Sequence, residues 1–288
     1  MTDRAVPRRG PAANAELALL LEVAGTPKPG NVDRHRDLAD LRFEQFLAGA
    51  VGARPGLEGA AAGDPVGEAF ETAVAGMSEQ SGGNTQFGCL LLLVPLVRAA
   101  AAGDLSPDGV ADLCADTTVD DAAGFYRAFE RVDVAVSDPP EGLDALDVRR
   151  GVEAVPALRE RGLALSDVMA ESADPPDGPG DANAREWVEG FPRTFRAAET
   201  IRADEGPVAE RAARAFLDLL AEAEDTLVRT QHGPAVAREV RERAASVASL
   251  AEAEEWAEEL VERGINPGTT ADIAAAALFV ALERGVSV

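Results

Sequence analysis

Apolar residues recur at helical spacing along most of this chain, and strict apolar–polar alternation is nearly absent. A period near 3.6 commits a segment to an amphipathic helix, whereas a half-buried strand needs a period of two. Val66, Phe70, Val74 and Met77 share one helical face, and Leu38, Leu41, Phe43, Phe46 and Leu47 fall at the same spacing. Cys89 to Val97 is an unbroken apolar run of nine residues closed by Arg98. A bilayer span needs about 20 such residues, so this run reads as a buried helix. The expectation is an all-α fold, and 288 residues suit one multi-helix domain.

Glycine, proline and capping residues divide the chain. Met1 to Ala13, with Arg4, Pro7, Arg8, Arg9, Gly10 and Pro11, reads as a disordered tail, leaving residues 14–288 as the domain. Asn14 is the expected cap of a first helix running to Ala24. A second helix starts just after the charged residues 33–37, and a Gly/Pro-rich turn is expected over Gly52–Gly63. Pro65 suits the first turn of a third helix, and Pro95 should kink the apolar helix that contains it. Thr117–Asp121 read as the cap of a helix carrying Phe125, Tyr126 and Phe129, followed by a turn at Ser137–Gly142. Helices over Asp147–Met169 break near Gly151, Pro156 and Gly162, and Ser172–Ala182 reads as a surface loop. A long helix is expected from Val208 to about Thr230, then a helical stretch Gly233–Arg263 broken near Ser249. Thr269 and Asp272 fit a capping box that opens the last helix.

An aromatic share of 5% leaves alanine, leucine and valine to supply most of the packing. The net charge of -24 argues against nucleic acid or an anionic membrane surface as partner. Lys28 is the one lysine among 27 basic residues, against 51 acidic ones. That balance has the look of a halophilic surface. At molar salt the Debye length is about 3 Å, so a local cation cluster can bind phosphate even here. Cys89 and Cys114 follow no metal-ligand spacing and read as reduced core cysteines. The N-terminus lacks an apolar signal region, which points to the cytoplasm. An oligomer is compatible with all of this.

Four stretches place polar or glycine-rich residues between apolar helices. In Thr26–Phe43 two prolines and Gly30 exclude a helix around Lys28, Asp33, Arg34, His35, Arg36 and Asp37. Lys28, Arg34 and Arg36 could bind phosphate; Asp33 and Asp37 could hold Mg²⁺ or act as a base, and His35 could serve as acid or base. The competing reading is a turn whose charges pair with one another. Ser81–Thr85, with Gly83, Asn84 and Thr85, leads into a helix start, as does Gly264–Asp272 with Asn266 and Gly268. Such starts offer free amides to an anion, although either could be an ordinary turn. In the fourth stretch Asp225, Arg229 and His232 share one face of the long helix if it continues that far. An exposed i,i+4 ion pair explains the first two equally well.

Taken in order, these stretches resemble the triphosphoribosyl-dephospho-CoA synthases, which prepare the prosthetic group of citrate lyase and malonate decarboxylase. The matching residues are Pro27–Gly30, Val32-Asp33, His35–Asp37, Phe43, Gly83–Thr85, Gly88, Ala184-Arg185, Gly190–Pro192, Asp225-Thr226, Arg229, Asn266–Gly268 and Ala271-Asp272. They span about Thr26 to Leu282. Where family members usually carry His-Lys after the Asn-Thr pair, this chain has Gln86-Phe87. The resemblance implies an all-α fold and transfer of triphosphoribose from ATP to 3′-dephospho-CoA, with release of adenine. It implies that Lys28, Gly30, Arg34, Arg36, Gly83, Asn84, Thr85, Arg229, Asn266, Gly268 and Asp272 bind ATP. Asp37, His35 and Asp225 would be catalytic, and Asp33 and Asp37 would hold Mg²⁺. With Gln86-Phe87 uncharged, Lys28 and its arginine neighbours would hold the phosphates largely alone. A related ATP- or phosphoribosyl-using enzyme, or a non-catalytic helical nucleotide-binding module, are the alternatives.

Overall fold

The computed structural model describes residues 9–136, 139, 142–175, 178 and 180–288. Residues 1–8 of the expected Met1–Ala13 tail and parts of the loops at 137–141 and 176–179 lie outside the described residues, whereas Pro11–Ala13 already belong to the first helix. Among the described residues there are fifteen α-helices and no β-strand. The first six are α1 (Pro11–Ala24), α2 (Phe43–Ala62), α3 (Val66–Met77), α4 (Phe87–Ala102), α5 (Pro107–Ala115) and α6 (Val119–Ala128). After two 3₁₀ turns come α7 (Val155–Arg161), α8 (Leu165–Ala173), α9 (Ala182–Glu189), α10 (Pro192–Ala203) and α11 (Val208–Glu222). The last four are α12 (Thr226–His232), α13 (Pro234–Ser246), α14 (Leu250–Glu262) and α15 (Gly268–Glu283). The expected all-α class holds. No single helix among the described residues is long and apolar enough to cross a membrane.

Two helices form the centre because they are apolar all round, which places a helix inside rather than at a surface. In α4 every residue from Cys89 to Val97 is buried, and in α15 so is every residue from Ile273 to Leu282. These two pack on each other, α1 and α2 pack beside α4, and α10 and α11 cover α15. Alanines fill much of α15, which lets its neighbours approach closely. A cluster of Phe70, Phe87, Phe125 and Phe129 joins α3, α4 and α6, with Phe87 and Phe129 edge to face at 4.9 Å.

Several boundaries differ from the sequence reading, each for a physical reason. α1 opens at Pro11, so Asn14 lies within it and donates to Glu283 at the end of α15 (2.7 Å). Leu38 and Leu41 precede α2, which Asp37 caps by accepting from the Phe43 amide (2.8 Å). No turn interrupts Gly52–Gly63; α2 continues through Pro55, whose ring faces solvent. The glycines there serve packing. A Cβ on Gly52 would lie 2.2 Å from the Gly76 carbonyl oxygen, and one on Gly56 would lie 2.3 Å from the Ala73 amide. α2 and α3 thus meet backbone to backbone. Gly52→Ala is expected to lower stability by about 2–3 kcal/mol through overpacking, read as a lower urea midpoint with unchanged slope.

The capped start of α6 is as expected, with Thr118 and Asp121 bonded reciprocally. The breaks at Gly151 and Gly162 and between α13 and α14 also fall where expected. The long helix at 208–230 does not form: α11 stops at Glu222, and Ala223–Asp225 turn the chain into α12. Asp225 therefore caps α12 and shares no helical face with Arg229 and His232. The cap of α15 is Pro267, so Thr269 and Asp272 are free for other partners and form no capping box.

Candidate active site

The cationic loop at 26–42 folds around its own aspartate. Asp33 is fully buried and accepts from Thr26 Oγ1 (3.0 Å), the Lys28 amide (3.1 Å), the His35 amide (2.8 Å) and Arg36 Nη1 (2.7 Å). Arg36 is buried too; its Nε lies 2.7 Å from Glu258, and Nη2 pairs with Glu254. Lys28 is 2% exposed and pairs with Glu22 near the end of α1. Arg34 is exposed and donates to the Ala24 carbonyl (3.0 Å), and His35 is exposed beside Glu254 (3.4 Å). The loop's charges pair with one another and with α1 and α14, which is the competing reading stated above. Asp33 takes Thr26, Lys28 and Arg36 on Oδ2 and the His35 amide on Oδ1, while Asp37 accepts from the Phe43 amide at the start of α2.

What the loop does is position the start of α15. Gly30 has φ +78, and a Cβ there would lie 2.1 Å from the Ile265 carbonyl oxygen, so only glycine fits. Asn31 donates to the Pro267 carbonyl (3.3 Å). The loop thereby holds Asn266 and Gly268 at the edge of a cleft of about 1360 Å³. Of the loop only Asn31 and Leu41 line it, with Glu22 of α1 behind them.

Four helices begin at this cleft. Phe87 and Gly88 of α4, Asn183 and Ala184 of α9, Thr226 and Leu227 of α12, and Gly268 and Thr269 of α15 all line it. Asp181 caps α9 by accepting from the Ala184 amide (2.9 Å). Asp225 caps α12 at the Val228 amide (3.1 Å) and takes the Thr270 amide and hydroxyl (both 2.7 Å), tying α12 to α15. Asp225 is 2% exposed and is not among the residues lining this cleft; its visible bonds position α12 against α15. At α4 the Phe87 amide is taken by Asn84 Oδ1 (3.1 Å), a neutral cap that leaves the positive end of that dipole toward the cleft, whereas the start of α15 already carries the Asp225 carboxylate on its Thr270 amide. Asn84 and Thr85 are among its lining residues; Gly83 adopts positive φ at the exposed turn and is not. Arg229 is the cation among the described lining residues, braced by Glu224 (2.6 Å). His232 lies outside, beside the Gly264 carbonyl (3.1 Å).

Asp272 lies on the cleft floor, where three elements meet. Asn183 Nδ2 donates to it (2.8 Å), Cys89 Sγ donates to it (3.2 Å), and Gly88 makes room for it. A Cβ on Gly88 would lie 2.0 Å from the Asp272 carboxylate. Burial pushes the Asp272 carboxyl up to about 7, with Asp225 and Glu22 reinforcing it and the Asn183 and Cys89 bonds opposing it. Burial also raises Glu22, against the pull of Lys28, and raises the Cys89 thiol well above its ordinary value. A carboxyl poised near neutrality in a cleft is suited to passing a proton. Asn183 Oδ1 and Asn266 Oδ1 belong to residues lining the same cleft and are buried without a partner in the protein, while Thr85 Oγ1 faces Gly49 of α2. Buried polar atoms rarely stay unpaired, so the two asparagine oxygens mark where a polar ligand would bond.

Glu22, Asn183 and Cys89 escaped the sequence reading. Glu22 had one signal, a lone acid at the buried end of an apolar helix six residues before the lone lysine. Gln86 turns from the cleft toward Gly49 of α2, and Phe87 joins the aromatic cluster at the cleft wall. Gly190-Phe191-Pro192 is structural: Phe191 holds positive φ, and Glu186 caps α10 at Arg193 and Thr194.

No curated protein matches the chain at a significant level. A crystal structure ascribed to a triphosphoribosyl-dephospho-CoA synthase from Archaeoglobus fulgidus is 27% identical. The match covers 83% of this chain and 99% of that one, with a TM-score of 0.67. The sequence profile of the ATP:dephospho-CoA triphosphoribosyl transferases matches residues 8–287. With nearly its whole length inside that profile, the chain is a transferase and belongs to the ATP:dephospho-CoA triphosphoribosyl transferase family.

Proposed function

We propose that the cleft transfers the triphosphoribosyl unit of ATP to the 2′-hydroxyl of 3′-dephospho-CoA and releases adenine. Asp272 carries this reading. As the N-glycosidic bond breaks, the departing adenine needs a proton, and a floor carboxyl raised to about 7 can give one. The bond from the acceptor's 2′-oxygen to the ribosyl carbon forms, and the proton lost by that hydroxyl replaces the one handed to adenine. Arg229 and the start of α4 hold the triphosphate. Asn183 and Asn266 bond the sugar and base through their unpartnered oxygens. Mg²⁺ enters with ATP as its phosphate counterion, not through Asp33 or Asp37. The volume of about 1360 Å³ exceeds the ~300–1,000 Å³ of ordinary small-molecule sites and suits two nucleotide-sized substrates.

Incubation with ATP, Mg²⁺ and dephospho-CoA in molar salt, the condition a halophilic surface favours, should release free adenine measurable by chromatography. Well-folded protein that releases none would overturn the assignment. Arg229→Ala is expected to raise the KM for ATP by roughly 10- to 100-fold with a smaller change in kcat. The uncharged pair Gln86-Phe87 favours one second reading, a different acceptor. It predicts protection from thermal unfolding by ATP without turnover of dephospho-CoA.

A further inference from the structure

The cleft continues past Phe87 into an arm that a triphosphate does not need. It runs along α6 and α8 and the segment 143–148. Phe129, Val134, Leu146, Val148, Leu163 and Val168 wall it, and each is only half-buried although packed against the core. Their remaining apolar surface faces the opening. The hydroxyl of Tyr126 is already spent on the Leu146 carbonyl (2.7 Å). Among the described residues no lysine or arginine lines this arm, while Asp133, Asp147, Asp167 and Glu171 stand along it. Arg149 already neutralises Asp147 (2.6 Å), and a phosphate placed here would meet the other carboxylates at a cost that no lining cation offsets. An uncharged, elongated chain would cover apolar surface at no such cost.

Resting on the transferase reading above, we infer that this arm seats the uncharged pantetheine chain of the acceptor, and that the arm selects the acceptor by its tail. In dephospho-CoA a diphosphate separates the reacting nucleoside from pantetheine. Asp272 at the polar end and the apolar arm at the other match that order of polar head, charged link and neutral tail.

Calorimetric titration of the full chain with dephospho-CoA and with ADP, without ATP, reads the arm independently of turnover. ADP has the same ribose and diphosphate but no pantetheine. Dephospho-CoA should bind at least ~30-fold more tightly than ADP, the scale expected for covering an apolar chain. Val168→Asp should reduce that preference to less than ~3-fold while leaving ADP affinity within about twofold. Leu146→Asn is the milder companion, and melting curves establish that each variant is folded. Equal affinity of the wild type for the two ligands overturns the inference without any variant, and so does a preference that survives in the folded variants. If only the transferase reading is wrong, adenine release fails while the preference for dephospho-CoA, and its loss in Val168→Asp, remain.

Discussion

Asp272→Asn is expected to lower adenine release by roughly 10³-fold, the scale of a lost general acid. Asparagine keeps the shape and can still bond Asn183 and Cys89, so the cleft should stand while its proton is gone. The wild-type rate carries the matching pH signature. The donor is the protonated carboxyl, so kcat should fall with unit slope as pH rises through about 7, where burial has pushed this group. The residual rate of Asp272→Asn should be flat across that range. Stability should also fall with rising pH, but over a lower window. Because the folded carboxyl titrates above its ordinary 3.8, the fold binds an extra proton between that value and about 7, and stability falls as pH rises through this window. The asparagine variant escapes this cost, and at pH 8 it should be more stable than wild type by more than ~1 kcal/mol, with no advantage below pH 4. A variant retaining a tenth of the wild-type rate would remove Asp272 from the chemistry.

The fold was legible where apolar spacing alone decides it. α3, α4 and the core of α15 announce themselves through runs that nothing but burial can satisfy. The reading failed where one residue type serves two purposes. Gly52 and Gly56 look like turn residues, yet they let α2 lie against α3, and only the partner Gly76 and Ala73 backbones reveal it. The break before α12 carries no glycine or proline, because Asp225 makes it by capping a new helix and reaching across to Thr270. The site was half legible for the same reason. Residues near helix starts (Asn84, Thr85, Gly268, Asp272) do line the cleft. The pairing of the charged loop was not legible because its neutralising partners are far off in sequence. Arg36 meets Glu258 across 222 positions.

Lys28→Ala should cost about 3–5 kcal/mol of stability at pH 8, the penalty for leaving a buried charge without its partner. Lys28 and Glu22 are each about 3% exposed at the side chain, and no solvent can replace the lost ammonium. Burial already raises Glu22 above its ordinary 4.5, and Lys28 is the main force holding it down. Without Lys28 the carboxyl climbs further, so the folded variant takes up a proton that the unfolded chain releases above pH 4.5. Its stability should therefore recover as pH falls toward that value, and the gap between variant and wild type should be narrower at pH 5.5 than at pH 8. Glu22→Gln placed on top of Lys28→Ala should restore much of the loss at pH 8, since it removes the stranded charge. Urea midpoints at the two pH values read all three outcomes. The contrary view, a lysine that grips phosphate, expects a stable variant with a raised KM for ATP and no dependence on Glu22. A halophile-like surface can replace lysine almost anywhere that water is the partner. Position 28 differs because its partner is a buried glutamate at the back of the cleft, and a compact ammonium answers that single carboxylate where a broader guanidinium would need additional acceptors.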